Sequence, residues 1–79
     1  MNKAENLKWF KEIMESKMMK HEEEDPTDIN YKGLMIWLKD EIDELGQALQ
    51  FESRENVIKE CADVANMAYF IADKVKRRK

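Results

Sequence analysis

The chain has 79 residues, with 17 Asp or Glu against 14 Lys or Arg and a formal net charge of −3. That length makes one domain, residues 1–79, and so short a chain buries only about 60–65% of the surface its unfolded form exposes, so a homo-oligomer is expected to complete the core. The acidic balance excludes nucleic acid as the default partner, no apolar run approaches the roughly 20 residues of a membrane span, and the lone Cys61 excludes an internal disulfide; these point to a soluble, cytoplasmic protein.

Two glycines, one proline and few β-branched residues leave almost no strand signal, so the expected class is all-α. The first helix is predicted over residues 3–20, where Leu7, Phe10, Ile13, Met14 and Met18 recur at steps of three and four. "HEEEDPTDIN" then breaks the pattern: Pro26 cannot continue a helix, and Thr27, Asp28 and Asn30 are each suitable N-caps for a second helix over 29–51. Ser53 caps a third, over 54–77, whose apolar face widens around Met67, Tyr69 and Phe70 until it calls for neighbours on several sides. The basic end "KVKRRK" suits the negative pole of that helix. Such a chain is expected to assemble, as a dimer or a dimer of dimers, into a multi-helix bundle.

On the second helix Leu34, Leu38, Ile42, Leu45 and Leu49 form one apolar stripe, and Trp37, Glu41, Glu44 and Ala48 form another roughly 80° away. The third helix repeats the device: Val57, Cys61, Val64, Ala68, Ile71 and Val75 make the stripe, with Glu60 and Asp63 on its flank. Packing the pair through these stripes brings all four carboxylates toward one small volume. Elsewhere acids are matched by a base four residues away, as in Lys8 and Glu12, Lys11 and Glu15, Lys39 and Asp43, Glu55 and Lys59, or Asp73 and Arg77. Glu41, Glu44 and Glu60 have no such partner, and Asp63 has only Lys59, which Glu55 shares; Asp40 is unmatched as well, so the lack of a partner is not unique to them. Converging acids without cations repel one another and shift toward protonation unless a bound cation supplies the missing charge. All-oxygen donors suit Mg²⁺ or Mn²⁺, with Mg²⁺ favoured, and the only histidine, His21, excludes the Glu-x-x-His pairs of a di-iron bundle.

"EIDEL" followed by "ECAD", with "ELGQAL" and "ADVANMAYFIAD" around them, resembles the MazG family of all-α nucleoside triphosphate pyrophosphohydrolases over residues 34–74. The resemblance implies cleavage of a (d)NTP between its α and β phosphates, with Glu41, Glu44, Glu60 and Asp63 as magnesium ligands and catalytic acids and a core built from two chains. Around them the substrate candidates each have a plainer reading. Phe51, two turns beyond Glu44, stacks on a base or packs in the core; Trp37 does the same. Asn66 bonds a sugar or base or faces solvent, His21 closes over the nucleotide or caps the first helix, and Lys74 neutralises phosphate or is solvated. The alternative for the whole chain is a helical interaction module that keeps the acids without turnover.

Overall fold

Helix formers dominate every stretch, and the computed structural model, which describes residues 3–20 and 29–78, is all-α with no strand among the described residues. Its helices are α1 (Lys3–Asn6), α2 (Lys8–Lys20), α3 (Tyr31–Phe51) and α4 (Arg54–Arg77). The expected single helix over 3–20 is broken once. At Leu7 the amide donates to the Ala4 carbonyl at 3.2 Å, a tightened i−3 turn, before Lys11 N–H returns to Leu7 O at 3.0 Å.

The long helices start where side-chain caps satisfy their first free amides. Asn30 Oδ1 accepts from Gly33 N at 2.8 Å and Ser53 Oγ accepts from Asn56 N at 3.3 Å. Pro26, Thr27 and Asp28 lie outside the described residues. Only Glu52 and Ser53 separate α3 from α4, so the two fold back as a helical hairpin, and α2 also packs on α4.

Which faces meet differs from the expected stripes. The buried side chains are Leu34 and Ala48 on α3 and Ala62, Asn66 and Met67 on α4. On α3 this turns the core direction toward Glu41 and leaves Ile42 and Leu49 exposed, the latter by 67%. On α4, Ala68 and Val75 of the expected stripe are exposed, while Val57, Cys61, Val64 and Ile71 are half-buried. The physical reason is that α4 serves two neighbours, so its most covered arc lies between the α2 and α3 contacts rather than along its most apolar line.

Leu34 is the one large side chain that is fully buried among the described residues, so the core within one chain is small. The radius of gyration, 13.6 Å, also exceeds the about 11.6 Å of a close-packed domain of this length. No helix of the described residues is long and apolar enough to cross a membrane.

Candidate metal centre

The rotation of α3 that exposes Ile42 carries its acids inward. Glu41 of α3 meets Glu60 and Asp63 of α4, one oxygen from each lying within 4.8 Å of the others. Spacing explains the pairing on α4, because residues three apart share one side of a helix. Glu44, one turn beyond Glu41, is exposed and lies on the wall of the adjoining cavity rather than in this trio.

Few donors answer these oxygens. Trp37 Nε1–H donates to Glu41 Oε1 at 3.2 Å, but Glu41 Oε2 and Glu60 Oε2 are buried with no hydrogen-bond partner. Burial first, then the charges of Glu44 and Asp63, push the Glu41 carboxyl up from 4.5 to about 7, against the lowering effect of the Trp37 bond. Glu60 is raised as well, by burial and then by Asp63 and Glu44, with Lys17 opposing.

Lys17 is the residue that sequence reasoning missed. Its ammonium, carried by α2, lies 2.9 Å from Asp63 Oδ2, so Asp63 is paired across 46 residues rather than with Lys59. Lys59 instead reaches Glu55 at 3.6 Å, as its spacing predicts. A signal existed. Lys17 falls within the arc of α2 marked by Ile13, Phe10 and Met14, and no Asp or Glu stands three or four residues from it in either direction.

Glu41 and Asp63 of the trio line a cavity of about 390 Å³, with Lys17, Trp37, Glu44 and Asn66 completing its polar side and Met18, Met67 and Phe70 its apolar side. Asn66 is 5% exposed; its Nδ2 donates to the Met14 carbonyl at 3.1 Å, which fixes the amide and leaves Oδ1 buried without a donor. Of the substrate candidates, Trp37 and Asn66 therefore stand at the cavity. Phe51 and Lys74 do not line it: Phe51 is 82% exposed, and Lys74 Nζ sits 5.6 Å from the centre of the Tyr31 ring. His21 lies outside the described residues.

Hard carboxylate oxygens, two of them buried without hydrogen-bond partners, are the donor type that suits a divalent cation such as Mg²⁺. Comparison with family models, with curated proteins and with solved structures returned no match for this chain. Fold and site together define a class, an all-α hairpin with a third helix packed on it and a carboxylate cluster at the edge of a half-apolar cavity.

Proposed function

We propose that the chain is a MazG-like, Mg²⁺-dependent nucleoside triphosphate pyrophosphohydrolase, with Mn²⁺ able to substitute, which converts a (d)NTP to (d)NMP and pyrophosphate. The observation that carries this reading is the meeting of Glu41, Glu60 and Asp63, with two partnerless buried oxygens, beside a cavity that also offers aromatic and methionine surface. A polyphosphate ligand is acidic at one end and flat and apolar at the other, and the cavity is divided in the same sense.

Glu41, Glu60 and Asp63 would hold the cation, with Glu44 on the wall of the adjoining cavity as the fourth acid. When bound, the magnesium supplies charge neutralisation at the phosphates and lowers the pKa of a coordinated water. Trp37 fixes Glu41 through its indole N–H and presents its ring to the cavity. Met18, Met67 and Phe70 exclude water around the base or sugar, and Asn66 Oδ1 offers an acceptor to a ligand N–H or O–H. A cation held at Glu41 would favour the ionised carboxylate that burial and the neighbouring acids disfavour.

Assembly into a dimer or tetramer belongs to the same reading. Met35, Ile42 and Leu49 recur every seven residues along α3 and are all exposed, with Leu38 and Leu45 half-buried beside them. This is the a/d spacing of a helix that packs on another helix. The same row supports the second reading, a helical interaction module in which the acids serve no turnover.

Pyrophosphate release from a panel of canonical and modified (d)NTPs in Mg²⁺ tests the activity and its base preference together. Nucleoside diphosphate and orthophosphate as products would refute the bond assignment. Joint addition of Mg²⁺ and a non-hydrolysable triphosphate is expected to raise the melting temperature, because a ligand of the native state stabilises it by mass action; an interaction module shows no shift.

A further inference from the structure

Glu41, Glu44, Glu60 and Asp63 bring four carboxylates to the site and its surroundings, and Lys17 is the one cation lining the cavity among the described residues. Its ammonium is half-buried, is held at 2.9 Å by Asp63 Oδ2, and comes from a different helix than any of the acids. A lysine so placed is a tethered cation within reach of the oxygens that a divalent ion needs. A second observation points the same way: Asn66, 5% exposed and lining the same cavity, has an Oδ1 that no donor of the chain satisfies.

Resting on the cation-binding reading above, we propose that Lys17 is an internal counter-ion that the divalent cation displaces from Asp63, and that the freed ammonium then binds the anionic oxygens of a polyphosphate ligand. Lysine suits both positions. Its flexible stem lets the same charge pair with a carboxylate or swing to a phosphate, and the three donors of an ammonium impose no planar geometry on either partner. α2 packs on α4 while the acids lie on α3 and α4, so the lysine can leave the carboxylates without moving the helices that carry them. The consequence is coupling: Lys17 weakens binding of the metal alone and strengthens binding of the metal with polyphosphate.

Calorimetry on the full chain tests this with two probes, Mg²⁺ alone and Mg²⁺ with inorganic tripolyphosphate. Lys17→Gln is expected to bind Mg²⁺ alone roughly tenfold more tightly, equivalent to about 1.4 kcal/mol, and to bind magnesium tripolyphosphate more weakly than the wild type. Lys17→Arg keeps the charge and is expected to remain close to the wild type for Mg²⁺ alone, and Lys11→Gln, a change at an exposed partner of Glu15, alters neither affinity. Opposite signs for the two probes separate this role from a structural one, since a loosened site loses both. Equal Mg²⁺ affinity in Lys17→Gln and wild type overturns the role of Lys17 and leaves the cation site standing; absence of Mg²⁺ binding in both overturns the site and the proposal together.

Discussion

Glu41 concentrates the electrostatic conflict of the molecule in one side chain. Its folded-state pKa, about 7 against 4.5 for an unperturbed glutamate, means that the native state holds the proton more tightly than the unfolded chain does. Between those values the native state binds more protons, so stability is greatest below 4.5 and is lost as pH rises toward 7. Glu60 is shifted in the same direction and adds to the slope. Without metal, the melting temperature is therefore expected to fall from pH 5 to pH 7.5, and Glu41→Gln is expected to flatten that fall and to raise stability at neutral pH. A melting temperature that rises over this window contradicts the placement of Glu41. Asp63 behaves differently, because Asp63→Asn leaves the half-buried Lys17 ammonium without its partner and is expected to destabilise the metal-free protein while Glu41→Gln does not. Both substitutions are expected to abolish pyrophosphate release. Asp43→Asn, on an exposed part of α3, is expected to keep it and to change stability by within about 0.5 kcal/mol.

The elements were largely legible. Caps are local chemistry, readable from a few adjacent residues: Ser53 starts α4 as its position predicts, and Asn30, one of three caps the sequence offers, starts α3 at Tyr31 rather than at residue 29. Chemical denaturation of Asn30→Ala or Ser53→Ala is expected to show a loss of about 1 kcal/mol each. Gly46 lies in the interior of α3 with ordinary backbone angles, and a Cβ added there meets nothing within 4 Å. Gly46→Ala is therefore expected to stabilise the chain by about 0.5–1 kcal/mol, and a loss instead would show that this face is already covered by another molecule. The turn at Leu7 was not legible, because no glycine or proline marks it; the i−3 hydrogen bond that interrupts the helix is a matter of geometry alone.

For the whole molecule the small core and the exposed apolar row on α3 belong together. Among the described residues only one large side chain is fully buried, and the apolar surface left uncovered is what a second copy would bury on the proposed reading. Sedimentation at micromolar concentration is expected to show a dimer or tetramer, and Leu49→Glu or Ile42→Glu, which put a charge into the row, are expected to shift it toward monomer. A well-folded wild-type monomer under those conditions would sink this part of the reading. Glu41, Glu60 and Asp63 meet within a single chain, so the proposed cation binding is expected in either state.

The sequence by itself determined the all-α class, the span of the long helices to within a residue or two, the Ser53 cap and three of the four acids that the structure brings near one another, because periodicity, capping and charge matching at four-residue spacing all act over a turn or two of one helix. Trp37 and Asn66 are readable as candidates from their positions beside those acids, and the structure places both at the cavity. Only the tertiary structure decided which arc of each helix turns inward, and it chose the arc with Glu41 over the line of Ile42 and Leu49. It alone brought Lys17 to Asp63, a pairing between residues on separate helices that no local rule can register. The unmatched lysine on an apolar arc and the unmatched acids on another were both visible as separate anomalies; that they answer each other depends on how α2 packs against α4, which is fixed by burial of surface from the whole chain rather than by the spacing of residues within either helix.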